Sequence, residues 1–287
     1  SEKRKDSQLA REFNISLPRE LTIEQNTELA RQFVKQEFVS KGMIADLCIH
    51  NDKTPEGEAQ PHAHVMLTLR EVNQDGFGKK EVAWNAKENI FKWREAWSEL
   101  ANHHLALNGH DIKIDHRTLK EQGIDLTPQH KIGAAVARDR MARMEDHQRI
   151  ARENGEKILA DPAIALDAIT RQQSTFTHHD LARFINRHTV NEQQFQSVYE
   201  TVKASSEMVY LGKDDKDRER FTTKDMVAIE TAMMQSTSTL AEREKHGVSD
   251  KALSQALSSR ELTTEQQAAF SHLLEKGDIK AVVGFAG

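Results

Sequence analysis

The chain has 287 residues, 30% of them charged, with a net charge of −5 at pH 7. This length allows a sizeable core and one or two domains. The negative net charge excludes a protein that coats nucleic acid over its whole surface and leaves room for a local basic groove. No apolar run reaches about 18 residues, so no membrane helix is predicted. The polar start is not a signal peptide, and the single Cys48 favours a reducing cytoplasm.

The first 60 residues predict strands and one helix. Residues 11–17 alternate in polarity, which puts Phe13 and Ile15 on one strand face and Glu12 on the other. Thr22 and the Gln three positions later form a capping box that begins a helix. A second strand follows over residues 44–50, and a turn-rich loop over 51–60 leads to a third. This order predicts an α/β (α+β) fold with antiparallel neighbouring strands.

The third strand carries the most informative residues of the chain. His62 and His64 are two positions apart, so a strand directs both imidazoles to one face and Ala63 to the other. Because His50 ends the neighbouring strand, three neutral imidazoles can meet and bind a divalent cation. Among 14 histidines such a pair also arises by chance on a surface, but the third histidine favours a metal site. Asp46 has the same strand parity as His50 and is a weaker candidate.

The middle of the chain is predicted to be mainly helical. A helix over residues 87–107 contains Trp93 and Trp97, which are core residues by preference and base-stacking residues as the alternative. A short strand is expected over 111–117. Residues 133–160 are helical, charged nearly all round and poor in large apolar side chains, which is typical of a solvated connector between domains.

The C-terminal region predicts a second unit from residue 163. Thr177 begins one helix, residues 191–204 form another, and a β-hairpin flanks residues 212–217. This order resembles a winged-helix-like module, with a small helical subdomain without DNA contact as the alternative. A further helix is expected over about 223–245. The last nine residues predict a buried strand entering a turn in which Gly284 and Gly287 begin a P-loop, but no Lys-Ser or Lys-Thr follows to complete a nucleotide site.

Taken together, these motifs resemble those of MobA/MobL-type conjugative relaxases, including the TraA-like relaxase-helicases. The resemblance implies the antiparallel sheet of His-hydrophobe-His relaxases, with helices on one face. Residues 163–287 are similar to the start of the helicase part, up to the Walker A motif. The other motifs that carry the resemblance are His50 with residues 61–66, residues 3–6 with 17–21, and residues 114–117 with 122–125 and 130–133.

The resemblance implies metal-assisted nicking of single-stranded DNA at a plasmid transfer origin, by attack of a tyrosine on the scissile phosphate. His50, His62 and His64 match the metal-ligand positions. The metal is Mn or Mg by family expectation, and three imidazoles also suit Zn. Glu12 resembles the family's acidic residue, which orients a ligand histidine or transfers a proton; the alternative is an ordinary surface glutamate.

Further implications concern location and partners. The resemblance implies a bacterial cytoplasmic protein that can travel with DNA, with type IV secretion coupling proteins as partners and no membrane insertion. It places Asp115, His116 and Arg117 as structural or DNA-contacting residues. The domains expected are a relaxase domain over residues 1–132, a charged helical connector over 133–162, and a helicase-like unit over 163–287.

The tyrosines depart from the family pattern. Family nucleophiles lie near the N-terminus, whereas this chain contains only Tyr199 and Tyr210. The expected account is an internal piece of a longer relaxase-helicase that is inactive in covalent nicking. Two other functions stay open, which are a non-catalytic DNA-binding module and a three-histidine nuclease that uses metal-activated water.

Overall fold

A computed structural model describes residues 8–53, 57–74, 76–129, 137–243, 248–258, 262–274 and 278–282. Residues 3–6 and 130–133 of the family motifs lie outside the described residues, as do Gly284 and Gly287 of the proposed P-loop. The chain divides into two units, Ser1–Phe221 and Thr222–Gly287. The domain boundaries expected at residues 132 and 163 both fall within the first unit and stay predictions.

The first unit begins with a three-stranded antiparallel sheet of order β1-β3-β2. One edge of the sheet is β1 and the other is β2, so β3 is central. The strands are β1 (Ala10–Ser16), β2 (Ala45–Lys53) and β3 (Ala59–Thr68), and the helices of this region are α1 (Ile23–Glu37) and α2 (Glu88–Leu107). Between them lie a hairpin of β4 (Arg70–Asn73) and β5 (Gly76–Lys80) and two short 3₁₀ helices, Val39–Lys41 and Val82–Asn85.

One face of this sheet is buried against both helices. In β3, Ala63 and Val65 are fully buried and alternate with more exposed histidines. The ring of Phe13 lies 5.4 Å from that of Phe38, which follows α1, and 5.1 Å from that of Trp93 in α2. Burial of each large apolar side chain contributes about 1.5–3 kcal/mol. The α+β class, the antiparallel pairing and the helices on one face are confirmed, and Trp93 is a core residue.

Local signals fix the ends of α1. Thr22 Oγ1 accepts from the backbone N–H of Gln25, and the Gln25 side chain accepts from the N–H of Thr22 at 2.8 Å. This reciprocal pair is the predicted capping box. Gly42 ends the 3₁₀ turn that follows the helix with φ of 93°, a left-handed conformation that glycine adopts without strain.

Two local expectations were wrong. Residues 51–53 and 59–60 are strand rather than loop, because the register continues through Asp52 opposite Gln60 and Lys53 opposite Ala59. Residues 111–117 form no regular strand. There the carboxamide of Asn102 replaces a partner strand, since it accepts from the N–H of Ile114 at 2.7 Å and donates to its carbonyl at 2.9 Å.

A helical core completes the first unit. It is built by α3 (Ala137–Ala160), α4 (Ala163–Thr170), α5 (His178–Arg187), α6 (Glu192–Lys203) and a hairpin of β6 (Met208–Lys213) and β7 (Glu219–Thr223), whose last two residues belong to the second unit. Leu166, Phe176, Leu181 and Val198 are fully buried in this core. The predicted order of helix, helix and hairpin is present, and its winged-helix-like role stays a prediction.

The expectation of a helix solvated on all sides is wrong for the second half of α3. Ile150, Ala151, Asn154 and Ile158 are buried there. They form one stripe at helical spacing. Because the stripe contains an alanine and an asparagine, its apolar signal is too weak to be recognised among the surrounding charges.

The second unit contains α7 (Lys224–Glu242), α8 (Asp250–Ser258) and α9 (Thr264–Leu273). The buried strand expected near the end of the chain is not found in the described part, where residues 279–282 are irregular and Ile279 and Val282 are exposed. No strand in the described part of this unit pairs with that segment, so its apolar residues have no sheet to enter. Across the described residues, no helix combines the length and apolarity needed to cross a membrane.

Candidate metal centre

The strand register gathers three histidines on the exposed face of the sheet. His62 is directly opposite His50, and His64 is directly opposite Cys48. Residues that face each other across an antiparallel pair project to the same side. The ring centroids of the three histidines are consequently 5.0–5.2 Å apart in every pairing.

The donor atoms of the three histidines fit a common divalent cation after small side-chain movements. One nitrogen from each ring lies within 4.8 Å of the others. Bonds of about 2.1 Å to a shared ion would put these nitrogens roughly 3.0–3.4 Å apart. The gap is bridged by rotation about the side-chain torsions, which is available because His50 is exposed and the other two are only half-buried.

Two of the rings are held in a defined tautomer. His64 Nδ1 lies 2.7 Å from Glu12 Oε1, and His62 Nδ1 lies 3.1 Å from the Gln60 carbonyl oxygen. A carbonyl or carboxylate oxygen accepts, so each Nδ1 is the donor, and in the neutral ring Nε2 carries the lone pair. A carboxylate or carbonyl behind a ligand histidine is the usual orienting partner at protein metal sites.

The position of Glu12 agrees with its strand parity. It lies on the exposed face of β1, whereas Phe13 and Ile15 point toward the core. In the structure Glu12 contacts a ligand histidine rather than only solvent. Asp46 is also exposed on this face, opposite Met66, and no ion pair joins it to the three histidines in the described part of the chain.

Asp52 is a candidate residue that sequence reasoning missed. Its Oδ2 lies 3.9 Å from His62 Nε2, the ring nitrogen that is not bonded to the Gln60 carbonyl. The signal was the parity of β2, because Asp52 is two positions beyond His50. The prediction of a loop over residues 51–60 concealed Asp52, because strand parity was not applied to a loop.

Two of the three residues placed as structural or DNA-contacting line a cleft beside β1. Asp115 and His116 line a cleft of about 760 Å³ beside β1, together with Trp93 and Trp97. Arg117 binds Asp115 through Nε and Nη2 at 2.6–3.1 Å, and this interaction lowers the pKa of Asp115 and raises that of Arg117. DNA contact by His116 and Arg117 stays a prediction.

The two tyrosines are placed elsewhere in the first unit. Tyr199 lies on α6, with its hydroxyl 3.2 Å from His178 Nδ1. Tyr210 lies in β6 and is exposed. Among the described residues, neither tyrosine has a hydrogen bond or ring contact with the three histidines.

An exposed three-histidine centre on an antiparallel sheet is what the relaxase motifs implied, and comparison of the sequence identifies the family. Residues 1–143 match the MobA/MobL family. This N-terminal half of the chain belongs to that family.

Relatives extend the similarity over the whole chain. The conjugal transfer protein TraA of Agrobacterium fabrum is 35% identical over 100% of this chain and 29% of its own length. The mobilization protein MobL of Acidithiobacillus ferridurans is 32% identical over 67% of this chain and 61% of its own length. The chain thus spans less than a third of the TraA relative. A solved structure described as the molecular basis of vancomycin resistance transfer in Staphylococcus aureus is 36% identical, covers 40% of this chain and 60% of that chain, and has a TM-score of 0.36.

Proposed function

We propose that this chain contains the metal centre of a conjugative relaxase, which nicks one strand of plasmid DNA at a transfer origin. The observation that carries the proposal is the set of three imidazole nitrogens within 4.8 Å on an exposed sheet face. Membership of the MobA/MobL family and similarity to conjugal transfer and mobilisation proteins support the same function.

The chain's own residues have separate roles in this proposal. His50, His62 and His64 hold a divalent cation, Mn or Mg by family expectation, with Zn as the alternative that imidazole ligands also suit. When bound, such an ion supplies a Lewis acid for the scissile phosphate. The Glu12 carboxylate accepts a hydrogen bond from the Nδ1–H of His64. This bond fixes the ring and increases the basicity of Nε2.

The nucleophile is the part of the mechanism that these residues do not supply. Tyr199 is hydrogen-bonded to His178 and Tyr210 lies in the β6–β7 hairpin. We propose that the chain by itself binds metal and single-stranded DNA and forms no covalent phosphotyrosine. DNA at the transfer origin and coupling proteins of type IV secretion are the proposed substrate and partners of the parent protein.

A second function is favoured by one contact. The carboxylate of Asp52 is 3.9 Å from His62 Nε2. A carboxylate at such a place can take a proton from water, so a three-histidine nuclease that uses activated water is the alternative. This reaction needs no tyrosine and leaves products with free ends.

Both functions are tested by incubating the full chain with Mn²⁺ and a labelled oligonucleotide that contains the transfer origin. Products are separated on a denaturing gel. We expect metal-dependent DNA binding without a covalent adduct, and loss of the metal dependence in His62→Ala. The control variant is His103→Ala, which removes an exposed histidine of α2.

The gel distinguishes the alternatives. Cleaved products with free ends that disappear in His62→Ala would establish the water-dependent nuclease instead. A covalent adduct lost in Tyr199→Phe or Tyr210→Phe would contradict the proposed division of roles. DNA binding that is indifferent to chelator and to His62→Ala would leave only a non-catalytic DNA-binding module.

A further inference from the structure

Three arginines from distant parts of the sequence meet beside the β2–β3 hairpin. Arg19 follows β1, while Arg183 and Arg187 lie one turn apart on α5. Arg19 Nη1 is 3.1 Å from Glu58 Oε2, and Arg183 Nη2 is 3.6 Å from the same oxygen. Two guanidinium groups therefore share one carboxylate oxygen. We refer to Arg19, Arg183 and Arg187 as the arginine cluster.

The arginine cluster carries more positive charge than its surroundings neutralise. Arg187 is exposed as a whole residue, but partial desolvation of its guanidinium lowers its pKa, and the nearby charges of Arg19 and Arg183 lower it further. No carboxylate in the described part of the chain offsets this effect on Arg187. Arg19 and Arg183 share one carboxylate oxygen, and Arg187 adds a third positive charge near them. This arrangement is unfavourable unless a further anion joins the three guanidinium groups.

The chemistry of the cluster selects the type of anion. Guanidinium groups present planar pairs of N–H donors that match the oxygens of a phosphate. The side chains of Arg19 and Arg183 are 37% and 40% exposed, so their donors can be reached from solvent. Glu58, which is 48% exposed, occupies the position that an incoming phosphate oxygen would take.

The arginine cluster is linked to the three histidines through Glu58, which contacts two of the arginines and is close in sequence to His62. His62 is four positions after Glu58, which is at most about 13 Å of extended chain. Leu17, which directly follows β1, lies two positions before Arg19. Its N–H donates to the Pro61 carbonyl at 3.0 Å. One extended nucleic-acid strand can therefore contact both places.

We propose that the arginine cluster binds a backbone phosphate of the single-stranded DNA that leads to the three histidines. The identity of the nucleic acid rests on the proposed function. Because α5 lies beyond residue 143, two of the three arginines come from the helical region outside the family match. In the free chain Glu58 holds the cluster, and DNA binding exchanges this carboxylate for a phosphate.

The test measures the affinity of the full chain for fluorescein-labelled oligothymidine by anisotropy, in EDTA and at several salt concentrations. Arg187→Gln is expected to weaken binding about tenfold, as loss of a charge-assisted contact does. It should also reduce the slope of log K against log salt by about 0.7, the value for one phosphate contact on a single strand. The charge-matched control is Arg152→Gln, an exposed arginine of α3, which should change affinity less than about twofold.

Two further arms separate phosphate binding from structural roles. Glu58→Gln removes the competing carboxylate and is expected to tighten binding about threefold, opposite in sign to the arginine variants. A peptide nucleic acid probe, whose backbone is uncharged, should bind the wild type and Arg187→Gln equally. Equal losses in Arg187→Gln and Arg152→Gln, an unchanged salt slope, or weaker DNA binding in Glu58→Gln would each overturn the proposal.

The metal site is separated from the cluster by repeating the measurement in a triple alanine variant of His50, His62 and His64. The tenfold effect of Arg187→Gln should persist there, because the assay contains chelator. If the metal function fails but this effect remains, the cluster stands. If the effect disappears in the triple variant although its melting temperature is unchanged, phosphate binding at the cluster is contradicted.

Discussion

The chain uses histidine in two contrasting environments. On the sheet, the side chains of His62 and His64 are 26% and 35% exposed, and each keeps one nitrogen for an outside ligand. In the helical core, His188 is 7% exposed and its Nδ1 lies 3.3 Å from the Asn154 side chain. Burial lowers the pKa of His188 to about 4. The first arrangement can bind a cation, whereas the second is a neutral part of the core.

This difference shows that accessible lone pairs, rather than histidine content, define the candidate site. The sheet histidines project from a surface whose opposite face forms the core, so replacing them should alter ligand binding and hardly change stability. Replacing His188 or Asn154 in the helical core should instead lower stability. Asn154 is fully buried and bonds both backbone groups of Thr127.

Removal of one sheet histidine should give the largest effect. His64→Ala deletes one of three ligand nitrogens, and we expect it to weaken Mn²⁺ binding by about a thousandfold or more. Changes to residues that only hydrogen-bond a ligand typically cost about 10–100-fold. The free energy of unfolding without metal should change by less than about 0.5 kcal/mol. Differential scanning fluorimetry with and without Mn²⁺ measures both quantities. A large loss of stability in the metal-free variant would contradict the contrast between the sheet histidines and the core His188.

The second effect is a pH dependence that originates at His188. Its folded-state pKa of about 4 is below the ordinary value of 6.5, so the unfolded chain binds the extra proton first as pH falls. The stability from this residue is present above about pH 6.5 and is lost between there and about pH 4, by up to roughly 3 kcal/mol. Urea unfolding at each pH measures it, and His188→Gln should flatten this part of the profile. An equally steep profile in the variant would contradict the assignment.

The third effect concerns Asn154 and has a matched control in the chain. Asn154→Ala empties a fully buried position and removes the side-chain partner of both backbone groups of Thr127, so we expect a loss of about 2–3 kcal/mol. Asn102 makes the same double contact with Ile114 but is only half-buried. Because water can replace the lost bonds there, Asn102→Ala should cost about half as much. Equal losses in urea unfolding would mean that burial does not set the difference.

The smallest effect is at Glu12. Glu12→Gln keeps the size of the side chain and removes the charge that holds the Nδ1 proton of His64. We expect Mn²⁺ affinity to fall by about 10–100-fold without loss of the bound ion at saturation. Asp46→Gln, on the same exposed face, is the control and should leave the affinity nearly unchanged. A calorimetric titration in which both variants behave alike would remove Glu12 from the site.

Sequence reasoning succeeded where short-range patterns decide the structure. Strand parity placed His62 and His64 on one face, a capping box located the start of α1, and Thr177 located that of α5. It failed where distant segments meet. Asp52 was hidden in a hairpin arm that is polar on both faces. The contact of Glu58 with both Arg19 and Arg183 depends on packing of α5 that no local pattern encodes.

The most direct test of the metal centre is a calorimetric titration of the full chain with Mn²⁺, alongside the triple alanine variant of His50, His62 and His64. We expect a single bound ion in the wild type and none in the variant, with both proteins folded by circular dichroism. Binding that survives in the triple variant, or a wild type that binds no ion, would contradict this expectation.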